Sequence, residues 1–213
     1  MKCYGRHRKI AKIVILRRRV LSSLLTLCKT IREQPMPSSD PIFVHPLLGA
    51  DDAWSAFRIE FAPGRPSVQA LSRLRASPQF DEFDKRALWF IPALPDASEA
   101  AQTMAQSVTV FSPRANSADS EALARLEAAL RQSQHKVALA VSPEHKLPAT
   151  GSWDYLLIGA SHARSLPPYT LLGMASRTTV VATDVHTHND RDWVLKNACS
   201  LSTGEFLLTR PTG

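Results

Sequence analysis

The feature that most constrains this chain is the regular recurrence of short apolar runs separated by longer stretches with helical periodicity. The runs are Phe57-Arg58-Ile59-Glu60-Phe61, Ala87 to Ile91, Val108 to Phe111, Val137 to Val141, Tyr155 to Ile158, Thr179 to Ala182 and Glu205 to Leu208. Runs this short, built from apolar and β-favouring residues, have the composition of buried strands. Between them lie amphipathic segments. The clearest extends from Ser117 through Asp119 to Gln134, with Leu123, Leu126 and Leu130 on one face and alanines filling the rest. Another begins at Thr187, where Thr187-His188-Asn189-Asp190 has the form of a capping box with Asp in place of the usual Glu, followed by Trp193, Val194 and Ala198. This alternation predicts an α/β fold built from βαβ units around a mostly parallel sheet, either doubly wound or closed into a barrel. No glycine-rich phosphate loop follows any run, and there are only eight glycines in 213 residues. Both facts argue against a nucleotide-binding open sheet.

Charge separates the chain into two regions. Met1 to Met36 holds ten basic residues and one acid, leaving 16 basic and 18 acidic residues from Pro37 to Gly213. The globular part therefore offers no electrostatic reason to bind nucleic acid. Residues 1–36 read as a basic N-terminal tail, a helix with Ile10, Ile13, Val14, Leu21, Leu24 and Leu25 at helical spacings, ended by Pro35 and Pro37. Such a segment is expected to be a poorly ordered extension, or upstream sequence if Met36 is the true start. The alternative is weak contact with an anionic surface or a partner. Arg17-Arg18-Arg19 interrupts its apolar residues, so neither part approaches the ~20 residues of a membrane span. Cys28-Lys29-Thr30-Ile31-Arg32 stands where an export signal would need small residues. Cys3, Cys28 and Cys199 are an odd number at no metal-ligand spacing, and all are expected to be free thiols in a reducing, cytoplasmic setting.

From about Ile42 to Pro211 the order of segments resembles the EAL family of cyclic-di-GMP phosphodiesterases. Phe43-Val44-His45-Pro46-Leu47 is similar to the "ARQPI" lead-in of one EAL subgroup, followed by Phe57-Arg58-Ile59-Glu60-Phe61 for its "YELLF". Leu88-Trp89-Phe90-Ile91-Pro92 resembles the strand ending in "FIN", Val108-Thr109-Val110-Phe111 stands for "VVLE", and Val137-Ala138-Leu139-Ala140-Val141 for "IALDD". Asp154 to Gly159 is similar to "DYVKID", Val180 to Thr187 to "LLAEKVET", and Gly204 to Pro211 to "QGYLLSRP". The resemblance implies a TIM-like (EAL-type) barrel over residues 37–213, with its site at the carboxyl ends of the strands. It also implies chemistry by two divalent metals held mainly by carboxylates, with a lysine on the fifth strand assisting the attacking water.

Carried over residue by residue, that resemblance describes a degenerate site. Arg58 replaces the signature glutamate, Pro92 the asparagine and Phe111 the third-strand glutamate. Ala140 and Val141 replace the paired aspartates, Leu157 the lysine, Gly159 the following aspartate and Thr183 the sixth-strand glutamate. His186 stands for the glutamate of "VET" and Gly204 for the glutamine. A register error of one residue could restore Glu60 or Asp184, but not the whole set. The expectation is therefore no catalytic residue, no metal ligand and no cofactor, with Arg58, pointing into the old pocket, as the candidate ligand-binding residue, Arg210 as the other remaining contact, and a paired structural arginine as the plainer reading of Arg58. His186 and His188, with Asp184 and Asp190 nearby, read as polar loop residues around a helix start. Trp54, Trp89, Trp153 and Trp193 read as core or barrel-edge residues. The function this implies is a regulatory or scaffold domain acting through protein contacts, with a partner protein or, in a homodimer, with a second copy. A receptor that binds cyclic di-GMP without cleaving it is the alternative, and an active phosphodiesterase stands third.

Overall fold

The computed structural model describes residues 41–62, 67–78, 80, 86–102, 106–113, 119–148 and 152–208. The expectations for the tail, Cys3, Cys28 and Arg210 lie outside them. Eight strands form a closed barrel in sequence order: β1 (Ile42–Leu48), β2 (Trp54–Phe61), β3 (Leu88–Pro92), β4 (Ser107–Phe111), β5 (Lys136–Val141), β6 (Tyr155–Gly159), β7 (Thr179–Thr183) and β8 (Cys199–Ser202). Strands β2 to β8 run parallel to one another, and β1 is antiparallel to both of its neighbours. The fold is thus the α/β barrel of the two sheet types left open by periodicity.

The alternation of side chains along the strands separates two apolar layers. Leu47, Ala56, Phe90, Val108, Val110, Ala138, Tyr155, Leu157 and Val181 fill the barrel interior, and Phe90 meets Tyr155 edge-on at 5.1 Å. The intervening residues face the outer helices. Helix α1 (Val68–Ala76) is started by Ser67, whose hydroxyl accepts from the Ala70 N–H at 3.2 Å. It lays Ala70, Leu71 and Leu74 on Phe57, Ile59, Trp89 and Ile91. A single turn, α2 (Glu99–Gln102), follows β3. Helix α3 (Ser120–Gln132) covers Phe111 and Val137 with Leu126 and Leu130, as its leucine spacing predicts. Helices α4 (Ala160–Ser165), α5 (Pro168–Ala175) and α6 (His188–Lys196) cover β6 to β8. The capping box is present in both directions: Thr187 Oγ1 accepts from the Asp190 N–H at 3.1 Å, and Asp190 Oδ2 accepts from the Thr187 N–H at 3.2 Å. Trp89 is buried in the core, and Trp54, Trp153 and Trp193 pack at its edges. Cys199 is a buried free thiol, pushed up to about 11 by burial. No described helix is long and apolar enough to cross a membrane.

One strand is not where its apolar run lies. Glu205–Leu208 is a 3₁₀ turn, and the eighth strand is Cys199–Ser202 just before it. Gly204, at φ 151°, turns the chain so that the Phe206 N–H bonds the Val185 carbonyl at 3.2 Å. Phe206 is buried while Leu208 is left 88% exposed.

The barrel closes narrowly. Strand β1 meets β8 through one residue pair, Leu48 with Ser202. Leu48 pairs on its other side with Trp54, the first residue of β2, whereas Ser202 is the last residue of β8. The rest of β1 therefore rises beyond the end of its neighbour. A side-chain tie backs this seam from outside: the buried Arg191 of α6 donates from Nη2 to the Gly49 carbonyl at 2.9 Å and pairs with Asp52 at 2.6 Å, in the β1–β2 turn.

Candidate functional site

The carboxyl ends of β2 to β8 and the amino end of β1 form one mouth, the face on which barrels of this kind carry their chemistry. Strand alternation selects the residues that look into it. On β2, Ala56 faces the interior, so Arg58 and Glu60 follow on the same side above it. On β1, Leu47 faces inward, so His45 and Phe43 do too. On β3 to β7 the same rule brings Pro92, Val110, Ala140, Leu157, Gly159 and Thr183 to the interior side, and on β8 it brings Leu201.

Phe111 is not among them. Its side chain lies under α3 with Leu126 and Leu130, so the expectation that it stands at the third-strand carboxylate position is corrected by one residue. The inward position is Val110, and Ser112 follows it two residues on. Val141 likewise packs outward, leaving Ala140 as the inward member of its pair. His186 and Gly204 are not strand residues: both lie in the turns beyond β7 and β8, with His186 exposed.

Arg58 lies on the mouth side with its side chain 29% exposed, and it has an acidic neighbour, as a paired structural arginine would. Glu60 Oε2 is 3.9 Å from Arg58 Nη2 and 3.4 Å from His45 Nε2. His45 lies directly opposite Arg58 in the β1–β2 register. Asp184 approaches from β7, just past the strand, with a left-handed backbone (φ 55°). Its Oδ2 accepts from the Thr183 hydroxyl at 3.0 Å, and a Cβ on Gly159 would sit 3.5 Å from the same oxygen. The cluster His45–Glu60–Arg58, with Asp184 close enough to act on His45, was legible only through the pairing of β1 with β2, which no single run contains. Among the described residues no three His, Cys, Asp or Glu side chains are grouped so as to hold a metal ion. His186 Nδ1 pairs instead with Glu205 at 3.0 Å, and His188 stacks edge-on against Phe206 at 5.7 Å. The two histidines are thus directed to different partners.

Burial holds His45 below its ordinary value, with Glu60 opposing and Arg58 reinforcing the shift. Burial also lowers His135 and His162. Below about pH 6.5 the unfolded chain then binds more protons than the folded one, so stability rises with pH across this window. His186 is raised by its hydrogen bond to Glu205 and acts in the opposite sense, but it is fully exposed and solvent screens it. The melting temperature is expected to fall between pH 7 and pH 5. A rise over that interval, followed by circular dichroism, would contradict the assignment.

The described residues also line an open polar hollow of about 430 Å³ at the opposite end of the strands, with Arg131, Asp154, Arg177 and Thr179 on its walls. Its groups are largely committed to the fold. Arg131 pairs with Glu127 at 3.1 Å and covers Trp153 at 4.7 Å, and Asp154 accepts from the Val137 N–H at 2.8 Å. The mouth remains the candidate site.

No protein-family model matches this chain, and no curated protein does. Solved structures do. The Bacillus subtilis YkuI protein, which has an EAL domain and is bound to c-di-GMP and calcium, superposes with a TM-score of 0.54 at 13% identity. That match covers 79% of this chain and 54% of YkuI, so the chain spans about half the length of that protein. The PaMucR phosphodiesterase in complex with c-di-GMP gives 0.55 at 11% identity over 80% of this chain and 92% of that one. The EAL domain of Mycobacterium smegmatis DcpA gives 0.54 at 15% identity over 80% and 92%. At these identities the likeness is one of fold: the chain has an EAL-type barrel, with β1 running against the other seven strands.

Proposed function

We propose that this chain is a non-catalytic, EAL-like regulatory or scaffold domain that acts through protein contacts in cytoplasmic bacterial signalling. The observation that carries this reading is the chemistry of the inward strand-end positions. On β3 to β7 these are Pro92, Val110, Ala140, Leu157, Gly159 and Thr183, which present one hydroxyl and no carboxylate, amide or amine to the mouth. A pair of divalent cations bridging a phosphodiester needs several oxygen ligands converging on it. The donors on offer do not fit that requirement. Glu60 is turned to His45 and Arg58, Asp184 is engaged by Thr183, and Arg58 adds a positive charge that repels a cation.

The same arrangement weighs against the receptor alternative. One charge-assisted contact contributes about 1.5–3 kcal/mol, whereas a micromolar complex requires about 8 kcal/mol. Arg58 already shares Glu60, which lowers its value to an anionic ligand further. The expected result is that the full chain, incubated with cyclic di-GMP and magnesium or manganese, yields no linear dinucleotide above a no-protein control. Calorimetric titration of the same nucleotide at micromolar concentration is expected to show no saturable heat. Metal-dependent turnover would restore the phosphodiesterase reading. A low-micromolar isotherm lost in Arg58→Ala would establish a receptor.

A further inference from the structure

We propose that the outer edge of β1 from Ile42 to Pro46, unpaired among the described residues, receives an extended segment of a partner protein as an added strand. Closed barrels ordinarily leave no free edge; among the described residues this one has no neighbouring strand, because β1 outruns β8. The direction of its backbone groups follows from one bond. The Ala62 N–H donates to the Pro41 carbonyl at 3.2 Å, so in this antiparallel register Pro41, Phe43, His45 and Leu47 exchange hydrogen bonds with β2. Ile42, Val44, Pro46 and Leu48 then direct theirs to the other side. Leu48 finds Ser202 there. Among the described residues Ile42, Val44 and Pro46 find no backbone partner on that side.

The edge thus offers two donors, from Ile42 and Val44, and three acceptors. Pro46 has no N–H and can sit only where none is needed, which is the position of proline on an edge strand. It also argues against a second copy as the occupant. Two β1 edges meeting around Val44 would have each Pro46 facing an Ile42, losing a bond at either end and leaving a contact far below the ~1,200 Å² of a stable interface. An extended peptide needs only a row of main-chain groups and neighbouring side chains. The surroundings define its chemistry. Phe43, 50% exposed, stands beside the edge on the mouth side. Glu60 and Asp184 on that same side outnumber Arg58, and His45 between them is held towards its neutral form. The fitting segment is therefore β-favouring, with one apolar side chain for Phe43 and one lysine or arginine for the carboxylates.

This proposal rests on the scaffold reading but is tested without nucleotide, so cyclic-di-GMP turnover could overturn that reading and leave the edge result standing. In the full chain, amide exchange is expected to be fast at Ile42 and Val44 and slow at Phe43 and His45. A displayed library of randomised seven-residue peptides, selected on the full chain, is expected to enrich β-favouring sequences with a basic residue. Their synthetic forms should slow exchange at Ile42 and Val44, bind at least tenfold more weakly to Val44→Pro, and lose binding when alternate backbone nitrogens are methylated. The methylated peptides keep the test sharp if Val44→Pro fails to fold. No enrichment, or peptides that leave both amides unchanged, overturns the proposal. So does slow exchange at Ile42 and Val44 in the free chain that is released by dilution, which indicates a second copy, or by deletion of residues 1–40, which indicates the chain's own segment.

Discussion

Gly204→Ala is expected to lower stability by roughly 4 kcal/mol. The residue sits at φ 151°, a region open in practice only to glycine. A Cβ there would fall 2.2 Å from the Val185 carbonyl oxygen and 2.4 Å from its nitrogen. Those are backbone atoms and cannot swing aside like the end of a long side chain. Val185 is also held in place, since its N–H donates to Thr203 at 3.1 Å and its carbonyl accepts from Phe206. Backbone strain of about 1–3 kcal/mol and overpacking of about 1–3 kcal/mol therefore act together. In a domain of this size each kcal/mol moves the melting temperature by about 2–4 °C, so a fall of roughly 8–16 °C is expected in a thermal melt. A change of less than about 3 °C would mean that the turn after β8 does not press on Val185. The resemblance to the EAL family sets this glycine in the place of a glutamine, and its conformation gives the position a reason of its own.

Phe90→Ala is expected to cost about 3–5 kcal/mol, the range for a fully buried phenylalanine. Phe90 is 0% exposed at the centre of the barrel interior, among Leu47, Ala56 and Val108, with its ring edge-on to Tyr155. The neighbours come from strands fixed by their own ladders and cannot collapse into the space. Denaturant unfolding should show a lower midpoint with an unchanged slope. A midpoint equal to that of the parent would show that the ring is not the centre of the core.

The strands were legible where an apolar run coincides with a ladder, as at Tyr155 to Ile158 and Val137 to Val141, because strands buried on both faces carry no polar interruption. Cys199–Ser202 escaped because half of it is serine and it is only four residues long. Glu205–Leu208 has a more apolar composition but lies past a glycine whose backbone turns it away. The helix at His188 was legible to its first residue, since a capping box is local chemistry. The face on which a strand residue lies is another matter. Phe111 and Val110 differ by one position, and only the location of α3 decides which of them looks inward. His45 and Glu60 are 15 positions apart and meet because β1 folds back on β2. A polar cluster of that kind is a property of register, and periodicity within one run carries no information about it.

The narrow seam has a consequence in time. Leu48 and its partner Ser202 stand about 150 residues apart along the chain, and a ribosome adds about 5–20 residues per second. The first hairpin, complete at Phe61, is therefore made roughly 7–28 s before the strand that closes onto it. Throughout that interval Leu47 and Leu48, both buried in the finished barrel, stand without the strand that will close beside them. Arg191, which ties the same hairpin to α6, is synthesised only about ten residues ahead of Ser202. Barrel and clasp become available together, within about ten residues of each other.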